Sequence, residues 1–180
     1  DQSMRSKAGA ALRIAAVLLA ALALPAVAQQ STDDAGQTTQ TRFVSLKSDR
    51  VNVRNGPGTD YPIAWVFERA GLPVEIIREF NDWRQIRDSE GAVGWVIQNL
   101  LSGRRTALVL PWETKSDPLT TVPIHAEPAT DSTIVAVTEA GTLASVFGCA
   151  EGWCSIAIAG QRGHIEQVKL WGVYKDERIE

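Results

Sequence analysis

The second half of the chain repeats the first at an offset of about 70 residues, and a repeat of this kind fixes the architecture before any local propensity is consulted. Val51-Asn52-Val53 returns as Val122-Pro123-Ile124, and Pro57-Gly58-Thr59-Asp60 returns as Pro128-Ala129-Thr130-Asp131. Ile63 and Val66 match Ile134 and Val137, and Glu68-Arg69-Ala70-Gly71 matches Thr138-Glu139-Ala140-Gly141 after one deletion. Ile76-Ile77 corresponds to Val146-Phe147, Trp83 to Trp153 and Ile86 to Ile156. Gly94-Trp95-Val96 corresponds to Gly163-His164-Ile165, and Leu101 to Leu170. Two units of about 60 residues fit the available length, and domains of that size fold alone.

Each unit reads as short strands. Residues 43–46 and Val51–Arg54 alternate apolar and polar, the pattern of a strand with one wet face. Ile63–Phe67, residues 74–77, Trp83–Arg87 and Val93–Ile97 continue in that style. Turn residues fall between them at Asn55-Gly56-Pro57-Gly58, Ala70-Gly71, Asn81-Asp82 and Asp88-Ser89-Glu90-Gly91. No stretch beyond residue 28 carries a helical apolar stripe, so the expectation is an all-β chain of two small barrels.

The ends are of a different character. Arg5, Lys7 and Arg13 precede a run of Ile, Ala, Val and Leu over residues 14–24, which closes at Pro25-Ala26-Val27-Ala28. Basic start, short apolar core and small-residue exit make residues 1–28 a cleavable secretory signal, with Met4 as the natural start and residues 1–3 ahead of it. The apolar run is too short to span a bilayer, which takes roughly 20 residues. Residues 29–41 hold almost nothing that could be buried and read as a flexible linker. The two units then occupy residues 42–103 and 104–174, the second more diverged, and residues 175–180 read as a frayed charged tail.

Export implies a periplasmic or secreted location, where cysteines pair. Cleavage removes Arg5, Lys7, Arg13 and Asp1 from 18 basic and 21 acidic residues, leaving 15 against 20 and a net charge of −5. Nothing in that balance suits a nucleic-acid partner, which calls for a basic face.

The first unit resembles the bacterial SH3 domain family. The resemblance rests on Val51-Asn52-Val53-Arg54-Asn55-Gly56-Pro57-Gly58-Thr59, on Asn81-Asp82-Trp83-Arg84-Gln85-Ile86, and on Gly94-Trp95-Val96 followed by Leu100-Leu101. The second unit looks like a diverged copy, through Pro128, Cys149-Ala150-Glu151-Gly152-Trp153-Cys154, Gly163 and Leu170-Trp171-Gly172-Val173-Tyr174. Together they are similar to exported tandem SH3-like proteins of Gram-negative bacteria. The resemblance implies a groove between the loop after the first core strand and the next long hairpin, which places Asn55, Tyr61, Asp82, Trp83 and Trp95 beside a ligand. The second unit lacks both turn glycines, carrying Glu127 and Ala129, which leaves the shape of its loop open.

Six tryptophans serve either as ligand platforms or as the bulky core of a small barrel. Trp83 and Trp153 recur at one repeat position, which suits a structural role, whereas Trp95 is assigned to the groove. Cys149 and Cys154 bracket a hairpin turn, and export favours a disulfide between them. The competing reading is a zinc site built with His125 and His164. Neither histidine lies in a recognisable nucleophile motif, so no enzymatic activity and no cofactor are expected. The expected partner is peptidoglycan or a peptide of an envelope protein. A structural spacer or self-associating scaffold is the alternative, and a small cell-wall hydrolase or zinc-binding protein ranks behind both.

Overall fold

The computed structural model describes residues 40–117 and 119–180, so the expected signal and nearly all of the expected linker lie outside the described residues. The first repeat contributes β1 (Arg42–Leu46), β2 (Val51–Arg54), β3 (Ile63–Phe67), β4 (Pro73–Phe80), β5 (Trp83–Arg87), β6 (Val93–Ile97) and β7 (Leu101–Ser102). The second contributes β8 (Thr106–Val109), β9 (Thr121–His125), β10 (Ile134–Glu139), β11 (Leu143–Ala150), β12 (Trp153–Ile158), β13 (Gln161–Glu166) and β14 (Leu170–Trp171). The sheets run β3-β2-β6-β5-β4-β1-β7 and β10-β9-β13-β12-β11-β8-β14, the same order strand for strand. Short 3-10 turns at Gln98–Leu100 and Gln167–Lys169 occupy matching places, and a third at Pro111–Glu113 belongs to the second repeat. No helix among the described residues is long and apolar enough to cross a membrane.

Each sheet shields its own interior. Val44, Leu46, Val51, Val53, Val74, Ile76, Ile86 and Val96 form one core cluster, while Val109, Val122, Ile124, Val146, Ile156, Ile165 and Leu170 belong to the other. The alternation anticipated for β2 is present, with Val51 and Val53 fully buried and Asn52 and Arg54 half-buried. Burial of one such side chain stabilises by about 1.5–3 kcal/mol.

Bulges let a sheet of antiparallel strands curl over its core. The β4–β5 register slips between Ile76 and Arg78, and the β11–β12 register slips between Val146 and Gly148. A second matched pair of slips sets Ala64 in β3 and Val135 in β10 out of register. An extra residue bends the strand and deepens its twist. Glycine completes the curl where β6 crosses β2: a Cβ on Gly94 would overlap Val53, and one on Gly163 would overlap Ile124.

The loop after β2 keeps its shape in the second repeat despite the lost glycines. Gly58 N donates to Gly56 O at 3.0 Å and Asn55 N to Pro62 O at 3.1 Å; Ala129 N donates to Glu127 O and Ala126 N to Thr133 O, both at 2.8 Å. Gly56 is required because the Tyr61 ring lies where its Cβ would be. In the second repeat Ser132 stands at the place of Tyr61, and its hydroxyl accepts from Glu127 N at 2.9 Å. A smaller partner removes the demand for glycine.

The two repeats touch. Thr106 Oγ donates to Gly71 O at 2.6 Å, and the Phe43 ring meets Trp171 at 5.1 Å and Tyr174 at 4.8 Å between centroids. The chain end does not fray as expected. Ile179 exchanges two backbone hydrogen bonds with Cys149 at 3.0 Å, and its side chain packs against the second core.

Candidate functional site

Register places the groove candidates. Arg54 lies opposite Trp95, Trp95 opposite Gln85, and Gln85 opposite Arg78, so these four side chains form one row on the face away from the valine core. The next row is Ile97, Trp83 and Phe80. Trp83 and Trp95 are thus diagonal neighbours on adjacent strands, a spacing large rings bridge.

The loop following β2 stands beside the Trp95 row. Arg54 Nη1 donates to the carbonyl oxygens of Thr59 at 3.0 Å and Tyr61 at 2.7 Å, which ties the loop down. Asn55 and Tyr61 are exposed there, Tyr61 by 47%. Asp82 belongs to the other end: its carbonyl accepts from Gln98 N at 2.8 Å and its carboxylate from Gln98 Nε2 at 3.3 Å. Trp83 and Trp95 share one face of the sheet, Asn55 and Tyr61 lie in the loop that follows Arg54, and Asp82 is bonded to the 3-10 segment.

Burial reverses the roles expected for the two rings. Trp95 is only 7% exposed, whereas Trp83 is half-buried.

The equivalent face of the second repeat carries a pocket of about 240 Å3, lined by Pro128, Gly148, Ala150, Trp153, Ser155 and His164 among others. Its rows follow the same register: His125 opposite His164, His164 opposite Ser155, and Ala150 opposite Trp153. The Trp153 and His125 rings pack edge to face with centroids 5.4 Å apart. His164 Nδ1 donates to Ala126 O at 2.9 Å and His125 Nδ1 to Ser132 O at 3.2 Å, because a carbonyl can only accept. Smaller side chains account for the pocket: Gly148 and Ala150 stand where the first repeat has Arg78 and Phe80, and His164 stands where it has Trp95. Residue-by-residue matching of the repeats exposes this change, whereas the family motif, best preserved in the first repeat, points to a groove there.

Cys149 and Cys154 are directly opposed on β11 and β12, with Cα atoms 4.1 Å apart, and are joined by a disulfide. That bond takes both sulfurs from the zinc alternative. His125 and His164 are neighbours on the pocket face, and no group of three or more metal-ligating side chains occurs among the described residues.

Two curled seven-stranded sheets of one topology, each with its own core, define a tandem of SH3-like domains. The family model of the bacterial SH3 domain matches residues 47–103 and 119–172. The chain belongs to that family. It is 28% identical over 123 residues to YrvJ of Bacillus subtilis, whose name proposes an N-acetylmuramoyl-L-alanine amidase. That match takes in 67% of this chain and 24% of the relative, so the chain spans about a quarter of that protein's length. Among solved structures it is similar to NlpC1 of Trichomonas vaginalis (18% identity, TM-score 0.32, 78% of this chain and 49% of that one). It is also similar to NlpC2 of the same organism (17% identity, TM-score 0.33, 73% and 48%).

Proposed function

We propose that this protein is a non-catalytic binding module that engages cell-wall peptidoglycan outside the cytoplasmic membrane. The observation that carries the reading is the cleft of the second repeat, where Trp153, Pro128 and His164 line a pocket on the groove face. A flat apolar ring flanked by a few fixed polar atoms suits a glycan or short peptide, since aromatic surface gives contact area at low entropy cost. His164 Nδ1 is held by Ala126, which leaves Nε2 to meet a ligand. Family membership and the relative named for the amide of N-acetylmuramic acid favour a cell-wall ligand over other choices. The signal-like residues 1–28 favour export, and the bonded cysteines favour an oxidising compartment. With both thiols consumed, the sequence offers no activated nucleophile in a familiar motif, which favours binding without turnover. Pelleting with purified sacculi tests this: the protein co-sediments, Trp153→Ala stays in the supernatant, and sacculi turbidity is unchanged. Failure of the unaltered protein to pellet at any ionic strength rejects the reading.

A second reading, self-association, is favoured by β10, an edge strand on which Ile134 is 56% and Val137 62% exposed. Sedimentation equilibrium decides it. Association that Val137→Lys abolishes supports it, and a monomer at every concentration removes it.

A further inference from the structure

The repeats part company where each sheet ends. After β14 the chain turns at Gly172 (φ +125) so close to β8 that a Cβ there would overlap the Thr106 carbonyl oxygen, and it then doubles back over its own sheet. Val173 enters the second core with Ala107, Val146 and Leu170. Gln167 Nε2 donates to the carbonyl oxygens of Tyr174 at 2.8 Å and Glu177 at 2.9 Å. Arg105 grips the Glu177 carboxylate through two nitrogens at 2.8 and 2.9 Å, a bidentate geometry that guanidinium is shaped for. Residues 172–179 therefore close the end of the second repeat.

Among the described residues, the first repeat has the same floor and rim without such a segment. Val44, Ile76 and Leu101 stand at the places of Ala107, Val146 and Leu170, Gln98 at that of Gln167, and Arg42 at that of Arg105. At Gly103, the counterpart of Gly172, nothing lies within 4 Å of a Cβ position, and the chain leaves there for the second repeat. The result is a pocket of about 280 Å3, floored by Val44, Ile76 and Leu101 and rimmed by Arg42, Arg84 and Gln98. Its two guanidinium groups share one carboxylate, Glu79, at 2.7 Å from Arg42 and 3.5 Å from Arg84, and the Asp82 carboxylate accepts from Gln98 Nε2 at 3.3 Å.

We propose that this open end of the first repeat is a docking site for an extended acidic peptide segment of a partner protein. The segment presents a branched apolar side chain over Val44, Ile76 and Leu101 and a carboxylate to Arg42. The chemistry of the occupant is taken from residues 172–179, which this chain seats at the matching place of the second repeat. Ile76 and Arg84 project to the opposite side of their strands from Trp83, so the site is separate from the aromatic cleft and does not depend on a peptidoglycan ligand.

The test is a titration of the 15N-labelled chain with a synthetic peptide of residues 172–180, acetylated at its N-terminus, followed by two-dimensional NMR. Saturable shifts of the Val44, Ile76, Gln98 and Leu101 amides are expected. Val173→Asp in the peptide and Arg42→Ala in the protein should each weaken binding at least about fivefold, the scale of one lost hydrogen-bonded charge contact. Gln98→Ala, at an exposed position, leaves the Arg42–Glu79 pair intact and should weaken binding as well. No shift at millimolar peptide, shifts confined to the Ala107, Val146 and Gln167 end, or an affinity untouched by Arg42→Ala and Gln98→Ala would overturn the proposal.

Discussion

Tyr174 donates its hydroxyl hydrogen to the Glu75 carboxylate at 2.9 Å, linking the segment after the second sheet to the middle of β4 in the first. Glu75 is 4% exposed and is also held by Arg87 through Nε at 2.9 Å and Nη2 at 2.5 Å. A buried carboxylate is tolerated only with such donors around it. With the Phe43, Trp171 and Tyr174 rings packed alongside, the tandem has two cores but a shared seam.

That seam predicts joint unfolding. Thermal denaturation followed by far-ultraviolet and tryptophan signals should give one coincident transition. Tyr174→Phe should lower stability by about 1–3 kcal/mol, the range for a hydrogen bond to a charged group. Two resolved transitions in the unaltered protein would mean that the repeats fold independently.

The same contact sets a titration. Burial pushes Tyr174 up to about 12 against an opposing hydrogen bond with Thr41, assisted by its hydrogen bond to Glu75 and the negative charges of Glu75 and Glu177. The raised value means that the neutral phenol is the form folding favours. Its contribution is complete below pH 10 and is lost as pH rises from 10 through about 12. Ultraviolet titration of a Tyr61→Phe variant, which isolates this phenol, should show a midpoint well above 10, and Glu75→Gln should bring it down.

Trp95→Ala should cost about 3–5 kcal/mol, as for a large buried ring, and Trp83→Ala distinctly less because Trp83 is half-buried. Urea denaturation of both variants checks the order. Equal losses would show that relative exposure is not what separates them.

Reduction should destabilise the second repeat. The disulfide closes a loop across five residue steps, for which the chain-entropy estimate is about 2 kcal/mol. Thiol titration of the unreduced protein should find no free thiol, and dithiothreitol should shift the urea midpoint down with little change in slope.

Much of the fold was legible because the sequence states it twice. The apolar alternation of β2 and the turns at Asn55-Gly56-Pro57-Gly58 and Asn81-Asp82 carry local reasons that survive in the structure. What escaped was set by distant partners. Gly56 is needed for the Tyr61 ring, not for a left-handed turn, and Ser132 relieves Glu127 of that need. Trp83 and Trp95 share one face of the sheet yet differ in burial, and no periodicity reports that. The charged look of residues 175–180 hid two anchors, Glu177 on Arg105 and Ile179 on Cys149, because a polar composition does not reveal where matching donors lie. The open cleft of the second repeat follows from three substitutions, Gly148, Ala150 and His164, whose effect appears only once register puts them on one face.

The most direct test of the binding account is a titration with a soluble muropeptide, read on the six tryptophan indole N–H signals. The account predicts that the Trp153 signal moves saturably, with the His164 and Ser155 amides, and that His164→Ala weakens the response. Indole signals that stay fixed at millimolar ligand, or movement confined to residues away from the groove faces of both repeats, would contradict it.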